Sequence, residues 1–466
     1  YGLCLGRVIN FYSKKYFREG HIMKTVIMAG GRGSRISELF PDIPKPMIPI
    51  DGIPVLEREL CSLRDQGFND IILTVSYLHE KIEEHFGDGS KLGIKIKYFI
   101  EKTPLGNAGA LYFLLDELGD EPFLLLNADA VFDVDFRQMI RFHVENNADV
   151  TLFTHPNSHP YDSGLIISDD NKKVLQWLAK EDQRPEYYKN RVNAGLHVIN
   201  PKVLRENPLM EIVNKSIVEG GGLPYKIDLD RMILKPLANT GRMYCYDSPE
   251  YVKDMGTPDR YRAVIKDFQK GIIVGKNLSN PQKAIFLDRD GTINKYVGFL
   301  RNAEEFELID GVSEAIKIIN SLGFLCIVIT NQPVIARGEV TVDELNSIHN
   351  KLETMLGHAG GFLNGIYYCP HHPHKGYAGE VIELKIDCNC RKPKPGLLLE
   401  ASKDFNINLS QSFMVGDSES DVIAGKNAGC KTVLITEDIT LPANYGQDYS
   451  VCSLLEFVKN HLCTMQ

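Results

Sequence analysis

Short apolar runs alternate with segments of helical spacing along this chain, and the alternation begins twice. From Lys24 the apolar runs fall at 25–29, 71–75, 94–99 and 123–126, with helical spacing over 55–66, 108–118 and 134–146 between them. A helical stretch over 258–270 closes this half, and 271–282, with Gly275, Asn277, Asn280 and Pro281, reads as a linker. At Lys283 the pattern restarts, with strands expected at 284–287, 324–329, 413–415 and 433–435 and a helix at 312–322. Alternation of this kind predicts a largely parallel sheet covered by helices on both faces. Because it starts twice, the expected fold is α/β: two tandem doubly wound domains, 23–270 and 283–466.

Length and composition agree with two such domains and exclude several alternatives. A chain of 466 residues exceeds one ordinary domain. Hydrophobic residues at 43% and charged residues at 24% exclude a largely disordered chain. No apolar stretch reaches the roughly 18–20 residues that span a bilayer, so no membrane partner is expected. Lys plus Arg is 52 against 61 for Asp plus Glu, a net charge of −9, which leaves no global footprint for nucleic acid. The 10 cysteines are scattered except for three between Cys369 and Cys390. That distribution points to a reducing, cytoplasmic setting with one metal site, not a disulfide framework. Residues 1–22 carry Arg7, Lys14, Lys15 and Arg18 without a clean apolar core and cleavage site, so they are set aside as an N-terminal extension.

In the first half, Met28-Ala29-Gly30-Gly31-Arg32-Gly33-Ser34-Arg35 follows a strand directly. Glycines let backbone N–H groups approach a polyphosphate, and arginines add charge for a leaving pyrophosphate. Ile43-Pro44-Lys45-Pro46-Met47 aims one cation between two prolines, and Leu105-Gly106-Asn107-Ala108-Gly109-Ala110 opens a helix with small residues suited to a base or sugar. A buried strand runs into Asn127-Ala128-Asp129, where open α/β sheets bind ligands, and Lys253-Asp254-Met255-Gly256-Thr257-Pro258 supplies a second carboxylate before a helix.

The order of these segments over about 24–265 resembles the sugar-1-phosphate nucleotidyltransferases, nearest the mannose/heptose-1-phosphate guanylyltransferase branch. The resemblance implies a Rossmann-like fold in which Gly30, Gly31, Gly33, Arg35, Gly106 and Asn107 hold the nucleoside triphosphate, GTP in that branch. Lys45 would lie near its phosphates or the attacking sugar phosphate, with Mg²⁺ on Asp129 and Asp254. Ser34 stands where threonine is usual and Ala128 where glycine is usual. Asn193-Ala194-Gly195 resembles a sugar-side segment, which places Asn193 and Gly195 among the substrate contacts, while Lys180-Glu181 reverses the family's Glu-Lys order.

In the second half, Ala284-Ile285-Phe286-Leu287-Asp288-Arg289-Asp290-Gly291-Thr292 puts two aspartates two residues apart after an apolar strand. One can attack phosphorus, and the other can protonate a leaving group and then activate water. Ile329-Thr330-Asn331-Gln332, Arg391-Lys392-Pro393-Lys394-Pro395 and Val415-Gly416-Asp417-Ser418-Glu419-Ser420-Asp421 add a hydroxyl, cations and further carboxylates, a complete phosphoryl-transfer set. This resembles the haloacid-dehalogenase (HAD) superfamily over about 283–437. The implied roles are Asp288 as nucleophile, Asp290 as acid/base, and Thr330 and Lys392 on the phosphoryl group. Mg²⁺ would sit on Asp288, the Asp290 carbonyl and Asp417.

Cys369, His371, Cys388 and Cys390 give three thiolates and an imidazole, a closed tetrahedral zinc set, with His372 and His374 as competing ligands. Cys-Pro-His-His-Pro resembles the small phosphatases of heptose bisphosphate or histidinol phosphate, which favours His371 and a structural Zn²⁺. Within that pair, Ile335-Ala336-Arg337-Gly338 and Arg391-Lys392-Pro393-Lys394-Pro395-Gly396 resemble the heptose 1,7-bisphosphate 7-phosphatases, which places Asn331, Arg337 and Arg391 on the substrate. Pro333-Val334 stands where Ser-Gly is expected, a change that predicts a reduced rate or altered substrate.

Joined, the two resemblances imply consecutive steps. A 7-phosphatase leaves heptose 1-phosphate, which a nucleotidyltransferase would activate to a nucleotide heptose for surface polysaccharide. Three other readings stand beside it: another sugar, such as mannose 1-phosphate; a histidinol-phosphate phosphatase in the second half; and a nucleotide- or sugar-phosphate-sensing first half.

Overall fold

In the computed structural model of the chain, which describes residues 23–31, 33, 35–128, 130–218, 223–437 and 443–465, the expected strands pair as parallel sheets. The set-aside residues 1–22 and the expected metal ligand Asp129 lie outside the described residues. The chain forms two units. One runs up to Thr154 and takes in Ile166–Trp177 and Asn193–Asn277; the other takes His155–Leu165, Leu178–Val192 and everything from Leu278. The change of unit after Asn277 falls inside the stretch expected as a linker. That stretch also carries a helical turn, Ile272–Gly275, and Asn277 donates to Asp133 at 2.6 Å.

In the first unit the strand Thr25–Met28 lies between Asp70–Val75 and Phe123–Asn127, parallel to both, with Lys95–Ile100 outside Asp70–Val75. Of these four, the first strand is flanked by the second and the fourth, so its carboxyl end is the switch point where α/β sheets open a crevice. The sheet is mixed, because Val192–Ile199 pairs antiparallel with Phe123–Asn127. The helix expected over 108–118 is two short helices, Gly109–Phe113 and Leu115–Leu118. The chain tightens at Leu114, whose N–H is shared between the Ala110 and Leu111 carbonyls. Helices Val55–Asp65 and Phe136–Glu145 form near their expected places.

The second unit holds a six-stranded, all-parallel sheet. Its order is Gly365–Cys369, Leu325–Asn331, Ala284–Leu287, Phe413–Gly416, Lys431–Ile435 and Tyr449–Val451. The central strand Ala284–Leu287 is fully buried, as an apolar run in a sheet covered on both faces must be. Its end, Asp288, again sits at the switch point. The expected helix over 312–322 is Val312–Ser321, and the longest helix of this unit among the described residues, Val342–His358, starts with a capping box between Thr341 and Glu344.

Candidate active sites and a candidate metal centre

At the carboxyl edge of the first sheet lies a cavity of about 640 Å³, lined by residues that include Gly30, Gly31, Lys45, Gly106, Asn107 and Asn127. Gly30 and Gly31 follow the strand Thr25–Met28, Asn127 ends the strand Phe123–Asn127, and Lys45 begins the helical turn Lys45–Met47. Gly106 needs its positive φ of 86°, and a Cβ there would lie 2.3 Å from the Ile227 carbonyl oxygen. Asn107 Oδ1 accepts from the Leu229 N–H at 2.8 Å, which ties this turn to the next segment. Gly33 sits behind Lys45, and Arg35 is exposed; neither is among the lining residues.

Lys45 is buried, and its Nζ lies 3.1 Å from Asp254 Oδ1. Asp254 ends the strand Tyr251–Asp254, accepts from the Gly256 N–H at 2.7 Å and pairs with Arg260. Thr257 caps the helix Pro258–Gln269 by accepting from the Arg260 N–H, which starts the helix at the right place to bring the Arg260 guanidinium back to Asp254. Burial works against the charge on Asp254, but Lys45, Gly256 and Arg260 outweigh it and hold its pKa below the usual carboxylate value. Arg260 had no sequence signal beyond its position one turn into a capped helix.

The expected sugar-side pair Asn193 and Gly195 forms a small cluster next to this site. Asn193 Oδ1 accepts from the Gly195 N–H at 3.3 Å and lies 3.2 Å from Nε2 of the buried His197. Gly195, with φ of 77°, packs on the Asn127 amide. Glu101, which the sequence reading missed, follows the strand Lys95–Ile100 and lines the cavity. Burial raises its pKa, partly offset by the Leu105 N–H that its Oε2 accepts at 3.2 Å. An acidic residue directly after a strand of the same sheet was the available signal.

The second cavity, about 430 Å³, is lined by Asp288, Asp290, Thr330, Asn331, Arg391, Lys392 and Asp417, with Gln332, Pro333 and Val334 beside them. Lys392 Nζ lies 2.7 Å from Asp288 Oδ1 and 2.6 Å from Asp421 Oδ1. Burial opposes its charge, but the two carboxylates outweigh that and hold Lys392 above the ordinary lysine value. Asp288, Asp417 and Asp421 each place a carboxylate oxygen within 4.8 Å of the others. Three carboxylates against one ammonium leave excess negative charge, and burial together with Asp421 pushes Asp417 up to about 6. A divalent cation suits that arrangement. Asp421 opens the helix Glu419–Ala428 four residues after Asp417, and no role was read for it in the sequence.

The residues expected on the substrate also have partners within the protein. Asn331 holds the lysine loop, its amide donating to the Lys392 carbonyl at 3.1 Å and accepting from the Lys392 N–H at 3.0 Å. Arg337 stacks between Phe299 and Tyr377, 4.0 and 4.5 Å from their ring centres, and is not among the lining residues. Arg391 lines the cavity and donates to the His371 carbonyl at 3.3 Å. Pro333 occupies the first position of the short helix Pro333–Ala336, where no N–H is needed, and Val334 packs with Ile335, Val340 and Leu345.

Behind Arg391 stands the cysteine cluster. The Cys390 sulfur lies 3.3 Å from that of Cys369 and 3.2 Å from that of Cys388, and Cys369 and Cys388 are 3.5 Å apart. His371 Nδ1 is 3.2 Å from Cys390 and 3.7 Å from Cys369. Ligands of one tetrahedral zinc lie roughly 3.3–3.8 Å from one another, so these four atoms fit one ion. His372 and His374 are not part of this group.

Two phosphate-handling sites, each at the switch point of its own sheet, define a bifunctional phosphoryl-transfer enzyme. Comparison with known proteins agrees. Residues 24–270 match the nucleotidyl transferase family model, and 389–456 match that of the HAD-hydrolase-like proteins. The chain is 44% identical over 185 residues to the D-glycero-beta-D-manno-heptose-1,7-bisphosphate 7-phosphatase of Pasteurella multocida (strain Pm70), covering 38% of this chain and 97% of that protein. It is 30% identical over 254 residues to the mannose-1-phosphate guanylyltransferase of Mycobacterium tuberculosis (strain ATCC 25618 / H37Rv), covering 54% of this chain and 66% of that protein. HddC from Yersinia pseudotuberculosis, a solved structure, covers 53% of this chain and 99% of its own at 25% identity, with a TM-score of 0.44. The chain belongs to the nucleotidyl transferases over its first half and to the HAD-like phosphatases over its second. No helix among the described residues is long and apolar enough to cross a membrane.

Proposed function

We propose that this chain performs consecutive steps of nucleotide-heptose synthesis. It removes the 7-phosphate of D-glycero-D-manno-heptose 1,7-bisphosphate, then transfers GMP from GTP to heptose 1-phosphate with release of pyrophosphate. One observation carries the pairing. A half that is 44% identical to a heptose bisphosphate phosphatase shares the chain with a nucleotidyl transferase. The phosphate that the first activity leaves in place is the nucleophile that the second needs.

Glu101 supports the choice of guanine. Guanine presents N1–H and N2–H₂ side by side, two donors for an acceptor-only carboxylate, whereas the other bases set a donor beside an acceptor. In the phosphatase site, an Asp288 oxygen attacks the phosphorus, the bond from phosphorus to the sugar oxygen breaks, and that oxygen takes a proton from Asp290. Asp290 then takes a proton from water as the water oxygen attacks phosphorus, which frees phosphate and restores Asp288. Thr330 and Lys392 hold the phosphoryl oxygens. In the transferase site, a 1-phosphate oxygen attacks the α-phosphorus of GTP and the bond to pyrophosphate breaks, with Lys45 and the glycine turn positioning the phosphates.

Asp288, the Asp290 carbonyl and Asp417 would hold Mg²⁺ in the phosphatase, and Asp254 with Asp129 in the transferase. Mg²⁺ supplies positive charge beside the phosphoryl oxygens at both sites. Cys369, His371, Cys388 and Cys390 would hold Zn²⁺ with no open position, so its part is structural. The test is ³¹P NMR of the purified protein with Mg²⁺, each anomer of the bisphosphate, and each nucleoside triphosphate. Loss of the 7-phosphate followed by a GDP-heptose signal is expected. Phosphate release without a nucleotide sugar would overturn the transferase half, and an untouched bisphosphate would overturn the heptose assignment.

A further inference from the structure

Asp290 is gripped on both oxygens. Oδ1 accepts from Arg289 Nη2 at 3.0 Å, Arg289 Nε at 3.1 Å and Asn294 Nδ2 at 3.0 Å. Oδ2 accepts from Arg289 Nη2 at 2.9 Å and from Gln332 Nε2 at 2.9 Å. Arg289 is fully buried, and its Nη1 donates to His349 Nε2 at 3.2 Å, so the guanidinium is a fixed anchor beneath the carboxylate.

Gln332 is the other holder, and it does two things with one nitrogen. A carboxylate carries no hydrogen to give, so the Gln332 atom facing Asp290 is the amide nitrogen, which fixes the orientation of the whole side chain. The second hydrogen of that nitrogen goes to Thr330 Oγ1 at 2.9 Å. Thr330 therefore receives a hydrogen on the Gln332 side and keeps its own hydroxyl hydrogen for another acceptor, and it lines the cavity where the phosphoryl group would lie. Gln332 is itself only 3% exposed, with its backbone N–H held by the Cys369 carbonyl at 2.8 Å.

We propose that Gln332 is a positioning residue, which ties the carboxylate of Asp290 to the hydroxyl of Thr330 through one amide nitrogen, with Arg289 as the anchor. Without that tie, Asp290 is held only by Arg289 and by Asn294 on Oδ1, and loses its aim at the leaving oxygen. This inference rests on the reading of Asp290 as the acid/base group.

The consequence is a dependence on the leaving group. An alkoxide must be protonated as it leaves, whereas 4-nitrophenolate is stable without a proton. Any share that Thr330 has in binding phosphate is common to both kinds of substrate, so the difference between them isolates Asp290. The experiment compares Gln332→Met and Gln332→Asn with the parent, using the full chain, on 4-nitrophenyl phosphate and on the primary sugar phosphate that the parent turns over fastest. Thermal melting and near-UV circular dichroism monitor the fold. Both variants are expected to lose about 10²-fold in kcat/KM on the sugar phosphate, the lower end of a general acid's contribution, and at least tenfold less on 4-nitrophenyl phosphate; kcat/KM is read because it stops at the first cleavage, before the water step that both substrates share. An equal loss on both substrates would overturn the proposal. Asp290→Asn, compared in kcat/KM, separates the two levels: if it too falls equally on both substrates, the reading of Asp290 as the acid fails; if it shows the split and the Gln332 variants do not, only the role of Gln332 fails.

Discussion

Arg191 Nη1 lies 3.0 Å from Glu353 Oε2, and both side chains are buried. The same carboxylate oxygen accepts from the Asn190 N–H at 2.9 Å. The adjacent Thr354 Oγ1 accepts from the Tyr188 N–H at 2.9 Å and lies 3.1 Å from the Tyr188 carbonyl oxygen. Tyr161 stacks on His358 further along the same helix. The helix Val342–His358 of the second unit is thus packed by two segments that precede the linker in the chain.

A phosphatase cut from the chain at Lys283 would lose both the Arg191 cation and the 188–191 segment that packs on Glu353 and Thr354. Arg191→Met should cost about 3–5 kcal/mol in the second unit, the usual effect of orphaning one partner of a buried pair. Urea unfolding followed by phosphatase activity measures it, for this variant and for the 283–466 fragment. Midpoints equal to that of the intact chain would contradict the role given to this pair.

Lys45 and Asp254 carry the corresponding relationship in the first unit. Lys45→Met removes the buried cation that faces Asp254, and nucleotidyl transfer is expected to fall by about 10²–10³-fold, as for the loss of one preorganised charge stabiliser. Phosphate release from the second site should be unchanged. A parallel loss of both activities would point to misfolding instead.

On the proposed reading of Glu101 as the guanine acceptor, base choice should depend on pH. Burial raises its pKa, so it takes up a proton at a higher pH than an ordinary carboxylate. Only the ionised form accepts both guanine donors. The KM for GTP should therefore rise as pH falls through that raised value, and stay flat above it. Glu101→Gln should abolish this dependence and reduce the preference for GTP over ATP by about 1–3 kcal/mol, or roughly 5- to 150-fold. An unchanged preference would remove Glu101 from base recognition.

The cysteine cluster should contain one zinc per chain by atomic emission. Cys388→Ser, or exhaustive chelation, should lower the melting temperature of the phosphatase unit and its activity together, because four ligands leave no position for substrate. Loss of activity with an unchanged melting temperature would argue for a chemical role.

Much of both sites could be read from local sequence. Asp288 follows an apolar run that forms the central strand, and Thr330 and Asp417 follow or end runs beside it, so their common edge follows from strand pattern alone. Cys369, Cys388 and Cys390 were read from spacing and His371 was chosen over His372 and His374 by resemblance; the four meet in space. Asn331 and Arg337 were placed on the substrate by resemblance; Asn331 lines the cavity and also bonds the Lys392 backbone, and Arg337 lies between two rings. Spacing shows that a side chain is near a strand end without showing which neighbour it will bond.

The sequence by itself determined two α/β domains with largely parallel pairing, a glycine turn and an aspartate pair at their switch points, and three clustered cysteines with a histidine run beside them. These follow from periodicity and from residues adjacent in the chain, which report which face is buried and where a strand stops. Only the tertiary structure decided that Gln332 joins Thr330 to Asp290, that Asp421 shares Lys392 with Asp288, that Arg260 returns to Asp254, and that Arg191 meets Glu353. A buried polar group must find a partner, but which partner depends on what the packed elements bring within about 3 Å, and no local pattern encodes that distance.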